Sequence, residues 1–392
     1  MLDYRAMVAL LLALYVPVGF LTDAQAPGAV TPPAVVDIVM QFTADDGTPL
    51  EGKLTLPAGA DGPVPVVFHL HGAGPRNYDH ALQYRDADGK LHVYRYYDFY
   101  SHELARRGVA FFRMSKRGCT AEPSGKPVVD RAVFSTTTPT VLLDDYEKAL
   151  EALRERGEID ASRIVLSGAS EGTRLAPELA LRSPQGIVAI GLSGYQADNT
   201  RDTVVWQNTV GPWRNVQKLI PAAGDGTLTK AEYEEAVAAS PTLAQRLPFA
   251  GIDPDGDGAV TAEDMARLVK PRLDAILQAV ENRNDNLIWQ AVANLTSAYL
   301  LDGWTGEPHY RTLLKLDVPI AIFHGDLDGV TRVEGVHEAE AAFRAAGKAN
   351  LRTHIYPGHD HDLNWTPQSA RTSMPQPFQD FFTFATEAAR AR

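Results

Sequence analysis

Two patterns of apolar and polar positions divide the chain. Alternating residues over 35–43 and 49–56 flank the Asp46-Gly47 step, which is typical of a β-hairpin. Continuous apolar runs separated by amphipathic stretches follow, and they predict buried strands that alternate with helices. The strands are expected at 64–70, 109–114, 164–166, 187–192, 318–323 and 351–356, and the helices at 97–107, 141–156, 171–182, 333–345 and 378–389. Such alternation predicts an α/β fold with a mostly parallel sheet flanked by helices.

The strand pattern stops between residues 196 and 315. About 120 residues there have helical periodicity and acidic loops, which is too long for a crossover connection. We therefore expect a helical insert at 196–315, between the sixth and seventh strands, and a body formed by residues 27–195 and 316–392. Four of the five tryptophans lie in the insert, namely Trp206, Trp213, Trp289 and Trp304. We expect each of them to be a core residue of the insert rather than a residue that faces the pocket.

The longest apolar run, residues 6–21, lies near the N-terminus. Arg5 precedes the run, and Ala24-Gln25-Ala26 follows it as a small-residue cleavage pattern. The run is shorter than the roughly 18 apolar residues that a membrane span needs. We therefore predict a signal peptide over residues 1–26, a secreted or periplasmic location, and no stable membrane insertion after cleavage.

Charge and cysteine content narrow the classes of partner and of fold. The 392 residues include 37 basic and 49 acidic side chains, a formal net charge of −12, and no basic run. Such a chain repels phosphate backbones, so nucleic acid is excluded as an expected partner. The single cysteine, Cys119, cannot form an internal disulfide and is expected to be a small buried residue of a loop.

A candidate nucleophile follows the apolar run at 164–166. The chain continues as Gly168-Ala169-Ser170-Glu171-Gly172 and then as a helical pattern. In a G-x-S-x-G turn between strand and helix, the serine takes a strained conformation and the glycines allow close backbone approach. Free N–H groups at the start of the helix can bind an oxyanion. Ser170 is thus the candidate nucleophile, whereas Ser193 ends a strand without a following helix and is expected to be structural.

Two later strands lead into acids and histidines. The strand at 318–323 precedes Gly325-Asp326-Leu327-Asp328, and the strand at 351–356 precedes Pro357-Gly358-His359-Asp360-His361. A serine nucleophile needs a base that an acid orients. The chain order Ser, Asp, His and the location after parallel strands agree with this chemistry. Composition and position alone leave open which acid and which histidine take part.

Four segments resemble the signature elements of α/β-hydrolases, in particular of esterases and serine-aminopeptidase-like hydrolases. They are Leu70-His71-Gly72-Ala73-Gly74-Pro75, Gly168-Ala169-Ser170-Glu171-Gly172, Gly325-Asp326-Leu327-Asp328 and Pro357-Gly358-His359-Asp360-His361. The resemblance covers the chain from about residue 35 to the end, except for the insert. It implies the α/β-hydrolase fold and a catalytic triad of Ser170, Asp328 and His361. Asp326 and His359 are the less favoured alternatives for the acid and the base.

The resemblance also implies where an oxyanion would bind. The donors would be the backbone N–H groups of Glu171 and Ala73, with Gly74 as the alternate to Ala73. His71 and His324 are expected to be structural. Where the family usually has an acidic residue before an Arg-Gly pair, this chain has Ser115-Lys116.

The implied reaction is hydrolysis of a carboxylic ester by a serine hydrolase. His361 would take the proton of Ser170, Asp328 would hold the imidazole, and water would resolve the acyl-enzyme, with no metal or other cofactor required for catalysis. The substrate would be a small ester or a short peptide, because the same triad also cleaves amides. The alternative from another class is a calcium-dependent binding protein on an inactive hydrolase scaffold.

Residues 253–264 of the insert fit the twelve-residue EF-hand loop. Side-chain oxygens stand at positions 1, 3 and 5, glycine at position 6, and a carboxylate at position 12, where aspartate replaces the usual glutamate. The pattern predicts a structural Ca²⁺ ion. The implied ligands, one of them through its backbone carbonyl, are Asp253, Asp255, Asp257, Ala259, Thr261 and Asp264.

A second, degenerate loop with the same frame lies at residues 221–232. Its positions 1 and 3, Pro221 and Ala223, offer no side-chain oxygen. We expect the two loops to pair through Leu228 and Val260. Residues 221–264 contain nine acids and two bases, a net charge of −7. Because this insertion point is the usual lid site of the family, we expect the pair of loops to roof the pocket and calcium to order that lid.

Overall fold

The computed structural model describes residues 33–85, 90–121, 127–366 and 374–391. The predicted signal peptide at 1–26 lies outside these residues. Within the described residues, every helix is too short or too polar to cross a membrane.

Fourteen described strands form one large sheet and three small ribbons. In chain order they are β1 Val35–Thr43, β2 Pro49–Pro57, β3 Val64–Leu70, β4 Ala81–Arg85, β5 Leu91–Arg95, β6 Ala110–Met114, β7 Cys119–Ala121, β8 Pro127–Val129, β9 Ile159–Ala169, β10 Ile187–Ser193, β11 Thr227–Thr229, β12 Ala259–Thr261, β13 Ile320–Gly325 and β14 Leu351–Tyr356.

The central sheet has eight strands in the order β1-β2-β6-β3-β9-β10-β13-β14. The β1–β2 and β2–β6 pairs are antiparallel. The remaining pairs are parallel. The predicted hairpin therefore forms one end of a mostly parallel sheet. This is the α/β-hydrolase fold.

The described helices follow the strands in the predicted alternation. They are α1 Tyr96–Arg106, α2 Arg131–Phe134, α3 Pro139–Arg154, α4 Gly172–Arg182, α5 Thr200–Gln207, α6 Gly211–Leu219, α7 Lys230–Ala239, α8 Thr242–Arg246, α9 Phe249–Ile252, α10 Ala262–Glu281, α11 Asp285–Ala291, α12 Ser297–Leu301, α13 Tyr310–Leu313, α14 Glu334–Ala345 and α15 Gln376–Arg390.

Helices cover both faces of the sheet because successive strand side chains point to opposite sides. In β3, Phe68 joins the buried cluster that includes α3, α4 and α14. Its neighbour Val67 joins the cluster that includes α1 and α15. The parallel strands are thus buried on both faces, which explains their continuous apolar sequences.

The segment between β10 and β13 folds as the helices α5 to α13 and the β11–β12 ribbon. Leu228 pairs with Val260 across that antiparallel ribbon, which confirms the predicted pairing of the two loops. The ribbon has an apolar cluster of its own, to which α6 contributes Trp213 and Val216.

The two short hairpins β4–β5 and β7–β8 were not predicted. Their strands have five and three residues, and the described side chains of β5 are partly exposed or exposed. Strands this short cannot show the apolar run or the sustained alternation from which strands are predicted.

Candidate active site

Ser170 lies in the sharp turn between β9, which ends at Ala169, and α4, which begins at Gly172. Its φ angle is +54°, a left-handed conformation that is strained for a side chain with a Cβ atom. The turn is tied to the neighbouring strand because the Ser170 N–H donates to the Ser193 carbonyl at 2.9 Å. The structure therefore places Ser170 at the carboxyl end of the sheet.

The glycines of the G-x-S-x-G turn are required by close backbone packing. A Cβ atom at Gly168 would collide with the Gly172 carbonyl, and one at Gly172 would collide with the Leu70 carbonyl. A Cβ atom at Gly72 would lie 3.2 Å from Ser170 Cβ. The loop after β3 thus runs directly beside the candidate nucleophile.

The structure brings Asp328 and His361 together from loops after β13 and β14. His361 Nδ1 lies 2.7 Å from Asp328 Oδ2. The other oxygen of the buried carboxylate accepts hydrogen bonds from the N–H groups of Val330 at 2.7 Å and Thr331 at 2.9 Å. The Thr331 hydroxyl donates to Oδ2 at 2.6 Å. The acid is thus held in one orientation on several donors.

The charges of this pair shift both pKa values. Burial raises the pKa of Asp328, but the His361 charge and its hydrogen bond outweigh burial and lower that pKa to about 2. Burial lowers the pKa of His361, but the Asp328 charge and hydrogen bond outweigh burial and raise that pKa to about 9. Asp328 therefore stays ionised and strengthens His361 as a base.

The alternative acid and histidine have other roles in the structure. Asp326 Oδ1 accepts a hydrogen bond from the Gly358 N–H at 2.6 Å. His359 Nδ1 lies 2.9 Å from the Pro357 carbonyl. Both contacts belong to turns, and neither residue lines the cavity described below.

His324 was expected to be structural, but the structure also places it against the acid. Its Nδ1 accepts a hydrogen bond from the Tyr195 N–H at 3.0 Å, so the neutral ring carries its hydrogen on Nε2. That Nε2 lies 3.5 Å from Asp328 Oδ2. Burial lowers the pKa of His324, so the neutral ring is favoured. The position of His324 at the end of β13 was the signal for this proximity in the sequence.

Gly194 is a site residue that sequence reasoning missed. It has a φ angle of +62°. A Cβ atom there would lie 2.7 Å from Cε1 of His361. The glycine that follows β10 therefore provides the space that the imidazole ring occupies, and no local pattern marks that role.

Ser170 and His361 line a common cavity of about 570 Å³. Among the described residues, no hydrogen bond joins the serine hydroxyl to the imidazole; such contacts often tighten only when substrate binds. Aromatic and polar side chains from the body and the insert form the walls, including Tyr97, Tyr100, Trp365, Arg174, Arg272 and Tyr299.

The residues with the expected oxyanion donors also border this cavity. Ala73 and Glu171 both line it, whereas Gly74 packs on the insert, where its Cβ position would lie 2.7 Å from the Ala293 carbonyl. His71 is buried under the same loop. Its Nδ1 lies 2.9 Å from the Tyr97 hydroxyl and its Nε2 lies 2.6 Å from the Met114 carbonyl, so it orders the loop as expected.

The part of the insert that roofs the cavity differs from the expectation. The lining residues come from α5 and its C-terminal end, from Arg272 on α10, and from the segment 291–300. None of the described side chains in 221–264 lines the cavity, so the expectation that the two loops roof the pocket was wrong. Of the described lining residues, none is one of the four insert tryptophans; the pocket tryptophan is Trp365 of the body.

Helix α6 connects the loop pair to the segments that carry Asp328 and His361. Lys218 Nζ donates to the Gly358 carbonyl at 2.8 Å and to Asn364 Oδ1 at 2.5 Å, on both sides of His361. Gly211, at the other end of α6, packs against the Gly329 carbonyl. Because α6 also contributes to the apolar cluster of the loop pair, it contacts both that pair and the loops that carry Asp328 and His361.

Three carboxylates of the intact loop converge. One oxygen from each of Asp253, Asp255 and Asp257 lies within 4.8 Å of the others. Oxygen ligands at this spacing fit a divalent cation such as Ca²⁺. Asp264 has a different contact, because its Oδ2 accepts hydrogen bonds from the Thr261 N–H at 3.0 Å and hydroxyl at 2.7 Å at the start of α10. Ala259 lies in β12.

The structure thus brings together three of the six predicted ligands. In the degenerate loop, Asp225 accepts from the Thr227 N–H at 3.1 Å within a turn.

Comparison with known proteins adds one sequence relative. No family model matches the chain. Esterase EstD of Thermotoga maritima is 31% identical over 176 residues, which are 44% of this chain and 37% of that relative. The match therefore spans less than half the length of either protein.

Two solved structures illustrate the structural neighbours. Est1E from Butyrivibrio proteoclasticus has a TM-score of 0.46 at 14% identity, and the match covers 90% of this chain and 99% of that one. An acylaminoacyl peptidase of Pyrococcus horikoshii has a TM-score of 0.47 at 14% identity, over 90% and 41% of the two chains. The chain is thus similar, over part of its length, to an esterase.

Proposed function

We propose that this protein is a carboxylesterase-like serine hydrolase. The observation that supports the proposal best is the pair of Asp328 and His361, 2.7 Å apart, at a cavity that Ser170 also lines. The partial similarity to an esterase points the same way. The activity and the substrates of the whole protein are part of this proposal.

The proposed reaction proceeds in two stages. His361 takes the proton of the Ser170 hydroxyl while the oxygen attacks the ester carbonyl carbon, and Asp328 stabilises the imidazolium. Backbone N–H groups of Ala73 and Glu171 hold the oxyanion. Collapse expels the alcohol, which receives the proton from His361. Water, deprotonated by the same histidine, then attacks the acyl-enzyme and releases the acid.

Hydrolysis of short-chain p-nitrophenyl esters tests the proposal. Wild type is expected to hydrolyse them, and Ser170→Ala to lose about 10³-fold or more in kcat. His361→Ala should lose a comparable factor, and His359→Ala, its matched control two residues away, should stay near wild type. Equal rates in wild type and Ser170→Ala would refute the triad. The same variants on peptide p-nitroanilides test amide cleavage, which the same triad could perform.

We also propose that the intact loop of the insert holds a structural Ca²⁺ ion through Asp253, Asp255 and Asp257. The support is the convergence of the three carboxylates and the net charge of −7 over residues 221–264. The ion would neutralise repulsion among these acids and order the loop pair, and through α6 the loops around His361. No chemical step of the hydrolysis requires it.

Export is the third part of the proposal. Its support is the apolar run at 6–21 with the small-residue pattern Ala24-Gln25-Ala26. Expression of the full chain in a bacterium, followed by fractionation and N-terminal sequencing, tests it. We expect the exported form to begin at residue 27, and retention of the intact chain in the cytoplasm would refute the proposal.

A further inference from the structure

Lys116 is a buried cation directly behind the candidate active site. Its side chain is 0% exposed. Its Nζ donates to the Gly72 carbonyl at 2.7 Å and to Glu171 Oε2 at 2.8 Å. Removing an ammonium from water is costly, so a buried one is tolerated where its hydrogen bonds are made. The reaction proposed above has no role for this group.

Both partners of Lys116 carry the expected oxyanion donors. The Gly72 carbonyl and the Ala73 N–H are the two ends of one peptide unit, which is planar and in the trans form, so they point in opposite directions. A hydrogen bond that fixes the carbonyl therefore fixes the direction of the N–H at the other end. The second partner, Glu171, carries the other donor on its own backbone.

The ammonium also limits how these donors can move. Glu171 precedes the first residue of α4 and makes no side-chain hydrogen bond to that helix, because its carboxylate turns to Lys116 instead. The loop after β3 and the turn after β9 also pack on each other, through Gly72 against Ser170 and through Gly172 against Leu70, and Lys116 adds a charged, hydrogen-bonded link between them. One cation thus ties the two halves of the oxyanion site to each other.

We propose that Lys116 is a positioning residue that aligns and polarises the oxyanion-binding N–H groups through the Gly72 carbonyl and the Glu171 carboxylate. This inference rests on the proposed hydrolase function. Because Glu171 neutralises the charge of Lys116, the effect on the oxyanion comes from orientation of the peptide and from polarisation along the hydrogen bond, not from a net positive charge.

The next residue in the chain, Arg117, provides a matched control for Lys116. Lys116 and Arg117 are consecutive, and both side chains are buried and form ion pairs, but the partners of Arg117 are Asp145 at 2.6 Å and Asp46 at 2.7 Å rather than Gly72 or Glu171. Arg117→Met is therefore a matched control that removes a buried cation without touching Gly72 or Glu171. The two variants separate a general loss of stability from a loss of alignment.

The test compares wild type, Lys116→Met and Arg117→Met in ester hydrolysis and in binding of a trifluoromethyl ketone. Ser170 Oγ adds to the ketone carbon, its proton passes to His361, and the carbonyl oxygen becomes an oxyanion like that of the reaction. We expect Lys116→Met to lower kcat about 50-fold or more with KM within about threefold, and to weaken the ketone by a similar factor. Arg117→Met should change both by less than about threefold.

A second variant keeps the test decisive if Lys116→Met does not fold, since that substitution leaves the Glu171 carboxylate unpaired. The double variant Lys116→Met/Glu171→Met removes both buried charges but keeps the backbone N–H of residue 171, and such replacements are often tolerated. It should show the same loss of kcat and of ketone affinity. Wild-type values in a folded double variant, or equal losses in Arg117→Met, would overturn the proposal.

Failure of the underlying function would look different. A wild type without activity toward esters would refute the proposed hydrolase activity before any variant is compared. Ketone affinity, followed by ¹⁹F NMR, needs no turnover and therefore still reports on Lys116 in that case.

Discussion

Substitution of Gly194 by alanine is expected to lower the proposed hydrolase activity by displacing His361, the proposed base. Gly194 has a φ angle of +62°, and a Cβ atom there would lie 2.7 Å from His361 Cε1. Ordinary contacts of a Cβ atom lie at 3.4–4 Å. The imidazole would therefore have to retreat by about 0.7–1.3 Å, while its hydrogen bond to Asp328 is only 2.7 Å long.

The size of the effect follows from that displacement. A misplacement of about 1 Å at a reacting group costs on the order of 10²-fold in rate, equivalent to about 2.7 kcal/mol. The left-handed backbone adds about 1–2 kcal/mol of lost stability for any residue with a Cβ atom. Activity and stability should thus both fall, for separate reasons.

Gly347 is the matched control for the backbone effect. Its φ angle is +67°, and a Cβ atom there would meet nothing within 4 Å. Gly347→Ala should lose the same 1–2 kcal/mol or so in urea unfolding and keep its kcat/KM for an ester. Gly194→Ala should lose about 100-fold in kcat/KM, measured well below its melting temperature. Activity of Gly194→Ala within about threefold of Gly347→Ala would refute the reasoning.

Three further predictions concern the titration of the base, the helix α6 and the ion. The proposed reaction needs neutral His361, and the pKa of His361 is raised from 6.5 to about 9, so log kcat/KM should rise with pH between these values. The stability that protonation of His361 adds to the fold is complete below pH 6.5 and disappears above about pH 9. A flat rate profile above pH 6.5 would contradict the assignment of His361 as the base. Lys218→Met removes the two hydrogen bonds beside His361 and should lower kcat/KM about tenfold. Lys230→Met, on the exposed side of α7, should leave kcat/KM unchanged. Equal rates in the two variants would show that α6 does not support the loop that carries His361. Calcium should raise the melting temperature by several degrees in wild type and in Asp225→Asn, but not in Asp257→Asn. The two substitutions alter the same loop position, Asp225 in the degenerate loop and Asp257 in the intact one. A shift in all three proteins, or in none, would exclude the proposed site.

Much of the architecture was accessible from local sequence patterns. Apolar runs located the parallel strands, because a strand buried on both faces needs apolar residues at every position, as in Val64–Leu70 and Ile320–Gly325. The glycines around Ser170 and the alternation of β1 and β2 are equally local. These strands and turns depend on interactions between neighbours in the chain, so a few consecutive residues are enough to predict them.

The predicted site was identified in the same way, but only in part. Ser170, Asp328 and His361 follow strands in a recognisable order, and the resemblance to α/β-hydrolases favoured Asp328 over Asp326. Thr331, His324 and Gly194 make the contacts that hold these residues. Gly194 and His361, which contact each other, are more than a hundred residues apart in the chain. No periodicity or motif encodes which distant backbone must lack a Cβ atom to admit an imidazole.

The insert shows the same division most clearly. Its loop frame and the pairing of Leu228 with Val260 were readable because they depend on a twelve-residue pattern and its repeat. The roof of the cavity was assigned to the wrong part, because the helices that reach the pocket are set by how the insert packs on the body. Local residue order thus specified the strands, the turn that carries Ser170 and the loop pair. Tertiary packing determined the pocket walls, the hydrogen bonds of Lys218 and the partners of Lys116, because these depend on surfaces that meet only in the folded chain.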